Sequence, residues 1–326
     1  MAKKNILFLN GVPDDNSLKV NQIHKNGNIK WGGSGSANLS DFLKNDFFDR
    51  SMVIFDTRGG QELPRQMIHG VFNQISDPDT HKISLQRADD FYKAVAKHVA
   101  FFNPPSLVMK TTRDNIYRLL QGIDKLHVPK TVKLQPRSPA DIYDVIKNEN
   151  FEFPVIFRQA GDHGGISTIR IDDETEQFYP FALDGRDHYL TQFVDYANDD
   201  GIYAKYRLVV VDGEVFIRHA IFSKEWMVHA RNQLDEKESQ QYKKDIVDRF
   251  AKEIKPKLQP IITEIYNRLK LDYFGIDCNI DSNMNLLIFE INANMNVFTK
   301  SKNTLFSKHI EMIRSALIKM LKNKGK

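Results

Sequence analysis

Three side chains that carry oxygen ligands lie in the segment 271–296, LDYFGIDCNIDSNMNLLIFEINANMN. Alternation of apolar and polar residues predicts two strands, with Asp277 on the polar face of the first and Glu290 and Asn292 on one face of the second. A polar turn at 282–285 joins them into a hairpin. Two carboxylates and an amide oxygen suit a hard cation, so they predict a site for one or two Mg²⁺ ions, with Mn²⁺ as an alternative. An ordinary hairpin whose acids face water is the other interpretation.

The register of this hairpin decides whether the two carboxylates meet. Counting outward from a four-residue turn places Asp281 opposite Leu286 and Asp277 opposite Glu290. The same count divides the second strand into a face with Leu287, Phe289 and Ile291 and a face with Ile288, Glu290 and Asn292. We therefore expect the two carboxylates to be direct neighbours across the hairpin.

Three upstream motifs accompany the hairpin: FPVIFRQAGDHGGIST, YLTQFVDY and YRLVVVDGEVFIRHAIFS. With the GID…FEIN hairpin they span about residues 111–299, and in this order the chain resembles the ATP-grasp superfamily. That superfamily includes glutathione synthetase, D-alanine–D-alanine ligase and the ribosomal-protein glutamate ligases. The resemblance implies an ATP-grasp fold, in which two α+β lobes clasp ATP, preceded here by an N-terminal open α/β domain. It also implies that ATP and Mg²⁺ are the cofactors.

The resemblance assigns the phosphates of ATP to Arg158 and to the glycine loop at 160–165. Arg158 stands where the superfamily usually has lysine, and its planar guanidinium can bind phosphate as a fork. Gly164 and Gly165 let the loop backbone approach phosphate oxygens closely. An ordinary glycine-rich turn without a ligand is the alternative for this loop.

A lysine that related ligases use for a phosphate is missing from this chain. Their helix before the small lobe often begins R-D-K, whereas this chain reads Arg113-Asp114-Asn115. Arg113 or Lys110 is then the candidate for that charge, and a solvated helix-start residue is the alternative for Arg113. Arg231 resembles a further family position near the phosphates, with surface solvation as its alternative.

The motif TQFVDY resembles the hinge at which the superfamily reads adenine with main-chain groups. By this resemblance, four residues form the site of the base and the ribose: Gln192, Phe193, Val194 and Asp195. The family commonly has an acidic residue two positions before the arginine of its next strand, but this chain has Lys205 there. The ribose contact is therefore assigned to Asp195, Asp199 or Asp200 as alternatives.

Two arginines, Arg207 and Arg218, lie on the two arms of the predicted hairpin YRLVVVDGEVFIRH. They are near mirror positions about the turn at 212–213, so both guanidinium groups are expected to point into one cleft. In glutathione synthetase-like enzymes, arginines here meet the terminal phosphate and the substrate carboxylate, so the resemblance gives both a catalytic role. His219 and His229 are interpreted as structural residues, because the family mechanism needs no histidine.

The resemblance implies a carboxylate–amine ligase. A substrate carboxylate would attack the terminal phosphate of ATP to give an acyl phosphate and ADP, and an amine would then displace phosphate to form an amide or peptide bond. The partners are thus a carboxylate donor and an amine acceptor, with an amino acid, a peptide or a protein side chain as alternatives. Asn294, Asn296 and Lys300 follow the EIN motif and are expected to face the substrates. A phosphotransferase acting on a hydroxyl and a non-catalytic ATP-binding regulatory module are the other functions left open.

Composition bears on the remaining classes of partner. The 326 residues carry a net charge of +4 without a basic stripe interleaved with aromatics, so no nucleic-acid partner is expected. No apolar run approaches a membrane helix and the N-terminal run is too short for a signal peptide, so no membrane partner is expected. The single cysteine, Cys278, lies on an apolar strand face and favours a reducing, cytoplasmic location. A homo-oligomer is left open.

Pattern changes divide the chain into three predicted parts: an N-terminal α/β domain over 1–108, a small lobe over 109–189 and a large lobe with the metal site over 190–326. In the first part, periodicity predicts a helix over 84–102. In the second, Ser138 is the predicted N-cap of a helix. In the third, a helix near 246–270 is predicted to be broken by Pro256 and Pro260.

Overall fold

The computed structural model describes residues 3–32, 35, 37, 39–43, 47–60, 67–162, 165, 167–295, 297 and 305–324. Its strands are, in chain order, β1 (Lys4–Gly11), β2 (Lys19–Ile23), β3 (Ile29–Gly32), β4 (Phe48–Phe55), β5 (Gly70–Asn73), β6 (Ala100–Phe102), β7 (Leu126–His127), β8 (Thr131–Leu134), β9 (Val155–Gln159), β10 (Thr168–Ile171), β11 (His188–Gln192), β12 (Tyr203–Val211), β13 (Glu214–Ser223), β14 (Tyr273–Ile280) and β15 (Leu286–Ala293). Its α-helices are α1 (Lys82–Val95), α2 (Pro105–Val108), α3 (Arg113–Leu119), α4 (Pro139–Asn148), α5 (Glu236–Arg249), α6 (Lys255–Leu269) and α7 (Ser307–Lys324).

The apolar run ILFL near the N-terminus forms the centre of a parallel sheet with the order β4-β1-β5-β6. Leu7 and Leu9 of β1 belong to the same core as α1, whereas Ile6 and Phe8 belong to a core shared with α7. Both faces of β1 are therefore buried, as is usual for a parallel strand. This is the open α/β arrangement predicted for the N-terminal part. β2 and β3 pair with each other in a separate hairpin.

The helix predicted over 84–102 ends earlier than expected. α1 stops at Val95, and the last three residues of the predicted helix form β6 instead. Phe102 of β6 stacks on Phe72 of β5, with ring centroids 5.9 Å apart. Pairing with β5 buries Phe102 in the sheet, so tertiary packing outweighs the helical periodicity of this segment.

The second sheet is antiparallel and has the order β10-β9-β11-β8. α4 packs on it, since Ile142 and Ile146 share a core with Phe157 of β9. Ser138 caps α4 as predicted: its Oγ accepts from the Asp141 N–H at 3.4 Å, and the Asp141 carboxylate accepts from the Ser138 N–H at 3.0 Å.

The largest sheet has the order β13-β12-β14-β15-β7. All its pairings are antiparallel except the last, in which β7 runs parallel to β15. β7 lies in the segment 109–189, which was predicted to form the small lobe. It precedes all strands of the small sheet in the chain, yet it pairs with the large sheet. The boundaries at residues 108 and 189 stay predictions.

The helical region that precedes β14 is continuous and longer than predicted. α5 passes through a π-helical turn, Phe250–Ile254, directly into α6. The predicted break does not occur at Pro256, which lies in the first turn of α6 directly after the π-helical turn. Pro260 lies inside α6, and the helix continues past it. Within the described ranges, no helix is long and apolar enough to cross a membrane.

The register between β14 and β15 changes once along the hairpin. Near the turn Ile280 lies opposite Leu286, so the predicted pairing of Asp281 with Leu286 is wrong by one residue. A β-bulge then adds one residue to β15. Beyond the bulge Asp277 lies opposite Glu290, as predicted.

Phe289 is the extra residue of this bulge, and it changes the faces of β15. Ile288 is buried in the main core together with Ile291, whereas simple alternation places it beside Glu290. Leu287 lines the opposite side together with Glu290. The predicted faces are therefore wrong on the turn side of Phe289 and right beyond it.

A second bulge lies at the same level of the sheet, between β12 and β13. Leu208 faces Ile217, but the next residue of β12, Arg207, faces His219. Arg218 is therefore the extra residue on β13, and the predicted mirror relation of Arg207 with Arg218 is wrong by one position.

A buried network of asparagines joins the N-terminal sheet to the large sheet. Asn103 donates through Nδ2 to Asn294 Oδ1 and to the Tyr273 carbonyl oxygen, both at 2.6 Å. Asn294 in turn donates to the Ile75 carbonyl oxygen at 2.9 Å. Asn73 donates to the Asn103 carbonyl oxygen at 3.1 Å. Contrary to expectation, Asn294 is thus buried and hydrogen-bonded at both ends of its amide, so it does not face a substrate.

Candidate functional site

Four strands of the large sheet contribute one residue each to a row that crosses the sheet. His219 on β13, Arg207 on β12, Asp277 on β14 and Glu290 on β15 are successive cross-strand partners. Side chains of such partners lie about 5 Å apart at Cβ, so they interact directly. The fold therefore concentrates a cation and two carboxylates at one level of the sheet.

Arg207 and Asp277 form a bidentate ion pair in this row. The Nε and Nη2 atoms of Arg207 donate to the two carboxylate oxygens of Asp277 at 2.7 and 2.8 Å. Burial opposes the charged form of Arg207, but the hydrogen bonds to Asp277 prevail and raise its pKa. Such a planar pair holds both side chains in one orientation.

Glu290 is held by a different arginine. Nη2 of Arg113, in the first turn of α3, lies 3.0 Å from Glu290 Oε1, and its Nη1 donates to the Phe289 carbonyl oxygen at 2.7 Å. Of the two candidates for the missing phosphate lysine, the structure thus brings Arg113 to the row. Lys110 is exposed, and it is absent from the described residues that line the cleft.

Arg158 on β9 faces the same place from the small sheet. Its guanidinium is close to that of Arg113, and burial together with this neighbour lowers the pKa of Arg158 to about 10. Its Nε is buried and meets no hydrogen-bond acceptor among the described residues. Two neighbouring arginines with an unsatisfied buried donor form an environment that an anion would stabilise.

The predicted metal ligands lie together in this cleft. Asp277, Glu290 and Asn292 all line it. Asn292 pairs with Gly275, two residues along each strand from the Asp277–Glu290 pair. Across the described ranges, no group of three or more His, Cys, Asp or Glu residues is placed to hold a metal ion. The set of two carboxylates and one amide oxygen nevertheless fits Mg²⁺, because hard cations take oxygen ligands and share their sphere with phosphates.

An apolar part of the cleft, the slot, is lined by Phe193, Val194, Trp226, Met227 and Val228 and lies beside the charged row, where β11 ends. Phe193 meets Trp226 edge to face, with ring centroids 5.6 Å apart. The main-chain groups of Val194 make no hydrogen bond to any residue that the structure describes. The Gln192 side chain is already bonded to the main chain at Glu152 and Pro154, so it fixes the strand end. Aromatic walls and free main-chain groups suit an adenine ring.

The slot and the charged row are parts of one cleft of about 370 Å³, within the range of small-ligand pockets. Sequence reasoning missed several of its lining residues: Tyr196, Trp226, Met227, Val228, Leu287 and Phe289. The run WMVH after β13 was the available signal for one wall, since it is apolar yet follows a strand end. His229, interpreted as structural, also lines the cleft.

The glycine loop reaches this wall. Gly165 has φ +70°, and a Cβ placed on it would lie 2.7 Å from Nε2 of His229. Only a residue without a side chain fits this close approach. Gly165 therefore lies against His229 and Met227 at the wall of the cleft. Gly164 lies outside the described residues.

Three predicted ribose contacts lie away from the cleft. Asp195 is exposed on the outer side of its segment, and Asp199 and Asp200 are exposed as well. None of the three is among the described residues that line the cleft. Lys205 does line it.

The other predicted site residues divide into two groups. Arg218 is buried beside Arg207, and its Nε donates to the Val297 carbonyl oxygen at 2.5 Å. It is absent from the described lining of the cleft, as is the exposed Arg231. Asn296 and Lys300 lie outside the described residues.

Comparison with known proteins agrees with this arrangement. The family described as RimK-like ATP-grasp domain matches residues 113–316. The structure of VanG D-Ala:D-Ser ligase from Enterococcus faecalis aligns at a TM-score of 0.58 and 10% identity, covering 100% of both chains. The RimK domain ATP-grasp protein from Sphaerobacter thermophilus DSM 20745 aligns at 0.52 and 12%, covering 98% of this chain and 100% of that one. The ATP-grasp ligase PsnB, solved with minimal precursor, Mg and ADP, aligns at 0.51 and 12%, covering 98% of each chain.

At these identities the structural likeness shows the fold, and it confirms the predicted ATP-grasp fold with a preceding α/β domain. Among curated proteins, no match was found. The RimK-like match spans well over half of the sequence and contains every strand of the small sheet and of the large one. The protein therefore belongs to the family of RimK-like ATP-grasp domains.

Proposed function

We propose that the protein is an ATP-dependent carboxylate–amine ligase that releases ADP and phosphate. The observation that carries the proposal is the row Arg207–Asp277–Glu290, faced by Arg113 and Arg158. It combines oxygen ligands for a divalent cation with guanidinium groups for phosphate oxygens. The family match supports the use of ATP.

In this proposal the base of ATP enters the slot beside Phe193 and Trp226. The adenine ring would then form hydrogen bonds with the main-chain groups of Val194, which have no partner among the described residues. The phosphates would run toward Arg158, whose unsatisfied Nε gains an acceptor. The terminal phosphate would reach the row at Arg207, which neutralises charge as it develops on the phosphoryl oxygens.

Asp277, Glu290 and Asn292 would hold Mg²⁺, which supplies charge neutralisation to the phosphate oxygens when it is bound. Both carboxylates are engaged by arginines, so their orientation is already fixed without a cation. Arg113 and Arg207 line the same cleft and would offer their remaining guanidinium N–H groups to the phosphate oxygens.

The proposed reaction has two displacements. A substrate carboxylate oxygen bonds to the terminal phosphorus as the bond to ADP breaks, which gives an acyl phosphate. The nitrogen of an amine then bonds to the acyl carbon, phosphate leaves with the bonding electron pair, and the nitrogen loses a proton. An amino acid, a peptide and a protein side chain are the substrate classes that we propose for the two partners.

No side-chain nucleophile is needed, and two candidates for such chemistry are unsuited to it. Burial raises the pKa of the Cys278 thiol well above its ordinary value, so it stays protonated. Burial and the neighbouring Arg207 and Arg218 lower the pKa of His219 to about 3, so its ring is neutral at pH 7. The site works by positioning and charge neutralisation.

The decisive experiment follows ADP release with mixtures of carboxylates in the presence of hydroxylamine. A ligase forms an acyl phosphate that hydroxylamine converts into a hydroxamate, so ADP and hydroxamate should appear in equal amounts. ADP release with a phosphorylated hydroxyl product and without hydroxamate would show a phosphotransferase instead. ATP binding without ADP release, across amino acids and peptides, would favour the non-catalytic module.

A further inference from the structure

Lys205 occupies the part of the cleft between the base slot and the metal row. It precedes Arg207 by two residues on β12, so both side chains lie on the same face of the strand. Tyr203, two residues earlier still, packs on Tyr196 with ring centroids 4.9 Å apart. Tyr196 itself follows the slot in the chain and lines the same cleft. Lys205 therefore lies at the level of the sugar and the first phosphate of a nucleotide that spans the cleft.

Among the described residues, Lys205 has no hydrogen-bond or ion-pair partner in this place. Its Nζ makes no hydrogen bond or ion pair with a residue that the structure describes, although it faces the general direction of Asp277 and Glu290. Those two carboxylates are held by Arg207 and Arg113. A half-buried cation without a counter-ion is unfavourable, so a bound anion would stabilise it.

Among the described residues, no carboxylate lines the base end of the cleft, where a ribose would lie. In dinucleotide-binding folds a carboxylate accepts hydrogen bonds from ribose hydroxyls, whereas an arginine at the same place accommodates a phosphate. Asp277 and Glu290 are the carboxylates among the described lining residues, and both lie in the metal row. Lys205 can donate to a hydroxyl oxygen but cannot accept from a ribose hydroxyl, and its charge favours a phosphate oxygen over a hydroxyl oxygen.

We propose that Lys205 binds a phosphate oxygen of the nucleotide and that the cleft consequently discriminates poorly between a ribose and a 2′-deoxyribose. The inference rests on the proposed binding of ATP. Lys205 then supplies a fixed cation at the ribose end of the triphosphate, complementary to Arg158 and Arg207 farther along. Specificity for the nucleotide comes from the base and the phosphates, with little from the sugar.

Calorimetry with ATP, 2′-deoxy-ATP and adenosine, on the whole chain with Mg²⁺ present, tests the proposal. The wild-type protein should bind ATP and 2′-deoxy-ATP with affinities within about threefold of each other, which is less than one hydrogen bond contributes. Lys205→Met should weaken ATP binding by about tenfold to a hundredfold, the value of one charge-assisted hydrogen bond, and leave adenosine binding unchanged. Lys205→Arg should restore most of the ATP affinity.

Lys224→Met, at an exposed lysine just after β13, is the matched control and should bind all three ligands as the wild type does. Thermal unfolding of each variant identifies any loss of fold. If Lys205→Met is unfolded, the ATP affinity of Lys205→Arg is compared with that of the wild type instead. ATP binding that is insensitive to Lys205→Met, or a preference for ATP over 2′-deoxy-ATP above about tenfold, overturns this inference alone. Absence of ATP binding to the wild type overturns the proposed function and the inference with it.

Discussion

Asp277 and Glu290 are direct partners across β14 and β15, yet each carboxylate is held by a different arginine. Two adjacent carboxylates repel each other, and here their charges are offset by Arg207 on one side and Arg113 on the other. The ion pairs thus fix the orientation of both carboxylates at the place where a divalent cation would take oxygen ligands.

Glu290→Gln should abolish ATP turnover while leaving the fold intact. The replacement is nearly isosteric but removes one charge from the carboxylate pair and the partner of Arg113. Loss of one group that orders transition-state charge costs about 3–4 kcal/mol, or roughly a hundredfold to a thousandfold in rate. ADP release at saturating Mg²⁺ measures the effect, and retention of more than about half the rate would contradict the metal assignment.

Arg207→Met and Arg218→Met should change the rate of ADP release to different extents. Of these two arginines, Arg207 is among the described residues that line the cleft and Arg218 is not. Arg207→Met should lower the rate of ADP release by about a hundredfold or more, with little effect on adenosine binding. Arg218→Met removes the donor to the Val297 carbonyl oxygen and should have a smaller effect on rate. Exposed Arg231 provides the control, and Arg231→Met should change the rate little. Near-normal turnover in the Arg207 variant would refute its placement.

Trp226→Ala should weaken the binding of ATP, ADP and adenosine by similar factors. Trp226 forms one wall of the slot against Phe193, and an aromatic contact to a base contributes about 1–3 kcal/mol. Calorimetry with the three ligands measures this. A loss confined to the ligands that carry phosphates would mean that the base binds elsewhere.

Asp187→Asn should lower stability near neutral pH and have less effect in acid. Burial alone would raise the pKa of Asp187, but hydrogen bonds from Gln135, Lys133 and Lys82 hold it well below its usual value. A depressed carboxyl pKa contributes stability above the unfolded value, and the contribution is lost as the pH falls below it. The expected loss at pH 7 is about 1–3 kcal/mol, by urea unfolding.

At about pH 3, below the carboxyl pKa of the unfolded chain, the wild type and Asp187→Asn should differ less than at pH 7. Asp184→Asn, at an exposed carboxylate paired with Arg186, serves as the control and should change stability less. An equal difference between wild type and Asp187→Asn at both pH values would contradict the assignment.

Counting outward from the turn was enough to predict that Asp277 meets Glu290, but only because the bulge at Phe289 offsets a one-residue error near the turn. It was not enough to predict the two bulges, since the extra residues Phe289 and Arg218 look like ordinary strand residues in sequence. Bulges are settled by how the strands must bend in the finished sheet, which no local pattern records.

The same limit applies to the residues that other parts of the fold recruit. Nothing near residue 294 in the sequence indicates that Asn294 is bonded to Asn103 and to the Ile75 carbonyl oxygen, almost two hundred residues or more away. Trp226 likewise becomes a wall of the slot only because the chain after β13 folds back over Phe193. Motifs in the sequence were sufficient to locate the strands and the charged groups. The residues that contact Asn294 and Trp226 are determined by tertiary packing.

The asparagine network has a consequence for how this protein can be divided and recombined. The segment 113–316 that matches the family contains Asn294 but neither Asn103 nor Ile75, which satisfy it. A fragment cut before residue 113 would carry an amide shaped for partners it no longer has, directly after the strand that bears Glu290 and Asn292. The N-terminal domain is therefore not an interchangeable module. A domain that replaces it must supply a hydrogen-bond acceptor at the place of the Ile75 carbonyl oxygen and a donor at the place of the Asn103 amide.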